Sequence, residues 1–178
     1  IRARNEKNNI ANLLEAVQRQ DYPKTLLEII VVDDHSSDST AETVRRFPDV
    51  RLLKLKDDDI NSYKKKAIEN GIAAASGELI ITTDADCIPS PGWLQTIAAF
   101  KEKTNALFIV APVALNCNSA IVQVFQAMDF LVLQGITGAS VFKKVHSMCN
   151  GANLAYEKKV FFEVGGFKGV DNIASGDD

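Results

Sequence analysis

Asp84-Ala85-Asp86 is the stretch best equipped for chemistry. It follows Leu79-Ile80-Ile81-Thr82-Thr83, an uncharged and largely β-branched run, so two carboxylates stand at the end of a strand that reads as buried. Placing charge there is costly unless a cation or a hydrogen-bond network offsets it. Side chains alternate along an extended chain, so Asp84 and Asp86 are expected to point the same way. They would form a pair of hard oxygen ligands suited to Mg2+ or Mn2+, with positions left for substrate phosphates. Taken alone, an Asp-x-Asp pair is more safely read as an acidic turn after a strand. Two more polar clusters follow predicted strands: Asp33-Asp34 after Leu27–Val32, and Arg4-Asn5-Glu6 after Ile1. Carboxylates at such an edge can accept hydrogen bonds from a base imide N–H or from ribose hydroxyls. No G-x-G-x-x-G and no G-x-x-x-x-G-K-[ST] is present, so a metal at Asp84 and Asp86 is the expected substitute for a glycine-built phosphate cradle.

The elements that must position these residues alternate. Strands are predicted at Leu27–Val32, Val50–Leu55, Leu79–Thr83, Phe108–Val113 and Met148–Ala155. A first helix is expected from Asn9 to Gln20, with Ile10, Leu13, Leu14 and Val17 as its buried stripe and Asn8 as its cap. Ser39-Thr40-Ala41-Glu42 has capping-box spacing and opens a helix to Phe47, which Pro48 ends. Ser62–Ala75 is helical, burying Tyr63, Ala67, Ile68, Ile72 and Ala75, and Gly77 closes it. Ser90-Pro91 starts the next helix, which buries Trp93, Leu94, Ile97 and Phe100. Ser119–Leu133 reads as a helix that is apolar almost all round, apart from Gln123, Gln126 and Asp129; Gly135–Ser147 reads as loop. Glu157–Val164 reads as a short helix closed by Gly165-Gly166. This order predicts an α/β fold, a Rossmann-like and mainly parallel sheet flanked by helices on both faces, with ligands at the carboxyl ends of its strands.

With 178 residues, 46% of them hydrophobic and 24% charged, the chain reads as one globular domain over residues 1–178. A net charge of −3 gives no broad attraction to nucleic acid, and Lys64-Lys65-Lys66 reads as a solvated helix face. Cys87, Cys117 and Cys149 are odd in number and widely spaced, which argues against a disulfide framework or a zinc site and for a reducing compartment. Cys87 and Cys149 read as small buried residues, His35 as a turn residue, His146 as a loop residue and Trp93 as a core anchor. There is no secretory signal, and no uninterrupted apolar run is long enough to span a bilayer. Both ends read as truncated: the strand to which Ile1 belongs is expected to begin before the sequence, and Asp177-Asp178 stops directly after what looks like a motif.

Together these pieces resemble the family 2 glycosyltransferases of the GT-A fold. The resemblance rests on Ala3-Arg4-Asn5-Glu6, on Ile30–Asp38, on Lys64 with Ala67 and Gly71, on Ala75-Ser76-Gly77-Glu78 and on Thr83–Asp86. It continues through Asn150–Tyr156, Val164-Gly165-Gly166-Phe167 and Ser175–Asp178, and departs at Glu69, where the family often has Asn. It implies inverting, metal-assisted transfer of a sugar from a nucleotide diphosphate donor, commonly a UDP-sugar, to a saccharide or lipid-linked acceptor. On that resemblance, Ala3, Arg4, Asn5, Glu6, Asp33 and Asp34 hold the nucleoside, with Lys64 nearby. Asp86, with Asp84, holds the metal and diphosphate; Asn150, Gly151, Ala152 and Asn153 line the sugar and acceptor side. Asp178 is the general base, with Asp177 the next candidate. The resemblance also implies cell-envelope polysaccharide synthesis at the cytoplasmic face of a membrane, through segments outside this sequence. The rival readings are a nucleotidyltransferase and a non-catalytic nucleotide-sugar binding module.

Overall fold

The computed structural model describes residues 1–55, 63–117, 120–145 and 149–169, the side chain of Tyr63 excepted. Its first half is parallel. β1 (Arg2–Ala3), β2 (Ile29–Asp33) and β3 (Val50–Lys54) lie in that spatial order, Arg2 opposite Val32 and Ile29 opposite Val50. α1 (Ile10–Gln18) and α2 (Thr40–Val44) make the crossovers. The predicted stripe Ile10, Leu13, Leu14 and Val17 is buried in one core with Ala3, Val31, Val44 and Val50. Each such side chain contributes about 1.5–3 kcal/mol. α3 (Tyr63–Ala74) lies against β2 so closely that a Cβ on Gly71 would come within 3.2 Å of Val32 Cγ2. Ala67 and Ile72 are buried as expected.

The second half is antiparallel. β4 (Leu79–Thr82) and β5 (Phe108–Val110) both pair with β6 (Leu154–Glu157), which runs against them in the order β4-β6-β5. A parallel bridge between Arg2 and Asp84 sets the end of β4 beside β1. The carboxyl ends of β1, β2 and β4 therefore meet at one edge. Because β6 is reversed, its beginning arrives there too, carrying a 3-10 turn at Gly151–Asn153. Hydrophobic runs do not encode strand direction, so the antiparallel half was not legible in the sequence pattern.

α4 (Trp93–Thr104) follows β4, α5 (Ile121–Phe142) follows β5, and α6 (Lys158–Glu163) follows β6. Four sequence expectations are corrected. Asn8 is not the cap of α1; the backbone N–H groups of Asn9 and Ile10 donate to the Glu6 carbonyl at 3.0 and 2.9 Å. The capping box of α2 is not made, because Asp38 accepts from the Thr40 N–H at 2.9 Å and takes the place of Ser39. The loop expected at Gly135–Ser147 is helix as far as Phe142, since α5 continues through Gly135 and Gly138; His146 and Ser147 lie outside the described residues. Met148, the expected start of the last strand, also lies outside them, and that strand begins at Leu154. α5 is also long and apolar enough to cross a membrane by length and composition, with none of it buried inside the molecule. Scattered glutamines and Asp129 interrupt the apolar run in sequence without interrupting the helix.

Candidate active site

The first wall is built by two loops that tie each other down. Asn5 takes a left-handed φ of 57°, its N–H donates to Ser36 Oγ at 3.0 Å, and its Oδ1 accepts from the Ser37 N–H at 2.9 Å. The Glu6 N–H donates to Thr40 Oγ1 at 2.8 Å and the Lys7 N–H to Asp38 Oδ2 at 3.3 Å. Asp33 Oδ1 accepts from the Ser36 N–H at 3.3 Å. Asp34 is fully buried: Arg2 Nε and Nη2 donate to its Oδ2 at 3.0 and 2.5 Å, and His35 Nδ1 lies 3.2 Å from its Oδ1. His35, at φ 54°, is thus more than a turn residue. Both Asp34 oxygens face protein partners, so its carboxylate braces this wall from inside.

The second wall is the acidic turn. β4 stops at Thr82, and residues 85–86 form a turn in place of the extended chain that the sequence suggested. Ala85 is buried while Asp86 is exposed, and both Asp84 and Asp86 still line one polar cleft of about 160 Å³ with Arg2, Arg4, Glu6 and Lys64. Lys64 Nζ lies 3.8 Å from Asp84 Oδ1. The solvated-face reading of Lys64-Lys65-Lys66 is corrected: Lys64 enters the cleft, and Lys65 is only 2% exposed with its ammonium 6.0 Å from the Phe167 ring centroid. Burial pushes the Cys87 thiol up, with the Asp86 and Asp84 charges adding to it, so it stays a protonated thiol beside the acidic turn. A larger cavity of about 450 Å³ lies between β2 and β4, but its walls are mainly apolar, Ile30, Ile68, Ile72 and Ile80 among them.

The turn before β6 forms the third wall. Asn150 Oδ1 accepts from the Ala152 N–H at 2.9 Å, and Thr82 Oγ1 donates to the Gly151 carbonyl at 3.0 Å. Trp93 Nε1 donates to Asn153 Oδ1 at 2.9 Å. The structure thus brings Arg4, Glu6, Lys64, Asp84 and Asp86 to one cleft and sets Ala3, Asn5, Asp33 and Asp34 in the framework behind it. Asn150–Asn153 stand beside the end of β4. Asp177 and Asp178 lie outside the described residues. Arg2, His35 and Trp93 were missed as site residues. Arg2 carried the one usable signal, a cation immediately ahead of Ala3-Arg4-Asn5-Glu6.

The description Glycosyl transferase family 2 matches residues 1–165. The chain belongs to that family. Among curated family 2 relatives, it is 37% identical over 94 residues to glycosyltransferase AglE of Haloferax volcanii, a match covering 51% of this chain and 30% of that one. It is 29% identical over 132 residues to the poly-beta-1,6-N-acetyl-D-glucosamine synthase of Staphylococcus epidermidis, covering 74% of this chain and 32% of that one. Among solved structures, the mannosyltransferase PcManGT of Pyrobaculum calidifontis, in complex with GDP-Man and Mn2+, superposes with a TM-score of 0.69 at 24% identity, covering 96% of this chain and 48% of that one. TarS 1–349 of S. aureus, in complex with UDP, superposes with a TM-score of 0.67 at 18% identity, covering 92% and 47%. These likenesses establish the GT-A fold. The chain spans less than half the length of each of these four proteins.

Proposed function

We propose that this family 2 domain is the donor-binding core of an inverting glycosyltransferase, moving a sugar from a UDP-sugar to a saccharide or lipid-linked acceptor. The observation that carries the reading is the polar cleft, where the carboxylates of Glu6, Asp84 and Asp86 face Arg4 and Lys64, the guanidinium of Arg2 being already paired with Asp34. A surplus of carboxylate beside two cations suits a diphosphate that arrives with a divalent cation better than a bare anion. Asp84 and Asp86 fit Mg2+ or Mn2+ as hard oxygen donors on one cleft, with phosphate oxygens and water to complete the coordination. A cation held there supplies charge stabilisation to the departing diphosphate. The complexes of TarS with UDP and UDP-GlcNAc and of PcManGT with GDP-Man and Mn2+ support a nucleotide-sugar donor.

In this reading Arg4, Asn5, Glu6, Asp33 and Asp34 shape the nucleoside end, Lys64 adds positive charge beside the phosphates, and Asn150–Asn153 bound the sugar side. The acceptor hydroxyl oxygen attacks the anomeric carbon, its proton passes to Asp178, and the bond to the diphosphate breaks with inversion. Asp177 is the second candidate for the base. The length and composition of α5 support action at a membrane face, and the TarS and poly-N-acetylglucosamine synthase relatives support a cell-envelope polysaccharide as product.

The test is a panel of nucleotide sugars offered to the full-length enzyme with and without Mn2+, following nucleoside diphosphate release. Asp178→Asn is expected to keep donor affinity and to lose transfer by roughly 10²–10⁴-fold. Release of pyrophosphate would instead indicate nucleotidyl chemistry, and binding without turnover a non-catalytic module. Transfer at the wild-type rate in Asp178→Asn would move the base elsewhere.

A further inference from the structure

Trp93 stands where the loop that carries Asp84 and Asp86 becomes α4. Its ring packs against both the core of the parallel half and the core beneath β5 and β6. Its indole N–H donates to Asn153 Oδ1 at 2.9 Å, and Asn153 Nδ2 donates in turn to the Pro112 carbonyl at 2.8 Å. The Asn153 carbonyl accepts from the Ala111 N–H at 3.0 Å, and its own N–H donates to the Asn150 carbonyl at 3.2 Å. Each polar group of Asn153 therefore has a partner within the protein, which lets its side chain act as a strut between Trp93 and Pro112.

The strut has two firm ends. On one side, the 150–153 turn is held to β4 just ahead of Asp84 by the Thr82 hydroxyl on the Gly151 carbonyl. On the other, Trp93 is held at the start of α4. There, buried Gln20 donates to the Ser90 carbonyl at 2.7 Å and accepts from the Leu94 N–H at 3.1 Å. The acidic turn lies between these two attachments, and no hydrogen bond in them comes from the 5–7 or 36–40 loops.

We propose that Trp93 is a positioning residue for sugar transfer: through Asn153 it sets the spacing between the acidic turn and the 150–153 turn. This rests on the donor reading above and adds a consequence to it. Loss of the strut misplaces the sugar while leaving the nucleotide where it was, so the cost falls on kcat and not on nucleotide affinity.

The experiment uses the full-length enzyme, three single variants, Trp93→Phe, which removes only the N–H and part of the ring, Asn153→Leu and Asn153→Asp, and the double variant of the first two. Measured are kcat, donor KM, UDP affinity by calorimetry and Tm. Trp93→Phe and Asn153→Leu are each expected to lower kcat on the order of 10–100-fold, the scale of a small misplacement of reacting atoms, with UDP affinity within about twofold of wild type. Their double variant is expected to be no worse than the weaker single one, because one contact is removed twice. Asn153→Asp keeps an oxygen facing the indole but replaces the amide that donates to the Pro112 carbonyl, so it is expected to recover at most part of the kcat that Asn153→Leu loses. Unchanged kcat in Trp93→Phe, a double variant whose loss is the product of the two single losses, or kcat, UDP affinity and Tm falling together would each overturn the strut. A wild-type enzyme that releases no nucleoside diphosphate overturns the donor reading along with it, whereas turnover with indifferent variants overturns this inference alone.

Discussion

The loops of residues 5–7 and 36–40 and the acidic turn at Asp84–Asp86 are built on opposite plans. In the first, backbone N–H groups from Asn5 to Lys7 are each matched to a side-chain oxygen of the 36–40 segment, over the pair of half-buried Arg2 with buried Asp34. In the second, Asp86 is exposed, and Lys64 approaches Asp84 only at 3.8 Å. One wall is knit by short hydrogen bonds within the protein; the other is held by longer contacts and faces the cleft. The difference teaches where a substitution reads as stability and where it reads as affinity.

Breaking the first wall at the ion pair of buried Asp34 with half-buried Arg2 has the largest expected effect. Arg2→Ala strands Asp34 without its main counter-charge, at a cost of about 3 kcal/mol, the lower end for a buried pair because Arg2 is partly solvated. Urea unfolding of the purified chain measures it, and a loss under about 1 kcal/mol would show that Asp34 has no structural need of Arg2.

At the second wall the same measurement is expected to show almost nothing. Asp86→Ala is exposed and in a turn, so its stability is expected to stay within about 0.5 kcal/mol of wild type. The Mn2+-dependent part of UDP affinity is expected to vanish instead, roughly a tenfold weakening or 1.4 kcal/mol. Titration with and without Mn2+ checks this; a variant that keeps its metal dependence removes Asp86 from the ligand set.

How far the sequence foretold this contrast depends on what each wall is made from. The core stripe of α1, the strand ending in Asp33-Asp34 and the meeting of three polar clusters at one edge were legible, because apolar periodicity and strand ends leave marks in local sequence. The burial of Asp34 was not, since Arg2 reaches it across two strands and nothing near either residue records the pairing. Trp93 was rightly read as apolar ballast, but its bond to Asn153 joins residues 60 apart in sequence. The fate of Asp38 was missed for a more local reason: two capping oxygens competed for one helix start, and the aspartate won.

Asp38 offers the smallest and sharpest probe of the comparison. The Thr40 hydroxyl chiefly, with the backbone N–H groups of Thr40 and Lys7, holds its carboxyl below the ordinary range against a desolvation that pushes the other way. A depressed carboxylate contributes stability that is fully present above its unfolded value, about pH 4, and is lost as pH falls through its folded value. Asp38→Asn is therefore expected to show a shallower acid loss of stability than wild type. Parallel urea midpoints from pH 6 down to pH 3 in the two proteins would remove Asp38 from the acid response, and with it the electrostatic part of the first wall's rigidity.

α5 has a consequence of another kind. Ile121, Phe125, Met128, Leu131 and Phe142 are each more than half exposed on a helix that ends in Lys143-Lys144. Apolar surface on that scale governs colloidal behaviour, because large contiguous patches on isolated domains drive self-association. Handled as this 178-residue chain, the protein is expected to self-associate through α5. Mild detergent or polar replacements along that one helix are accordingly the first remedy for precipitation, checked by light scattering against concentration.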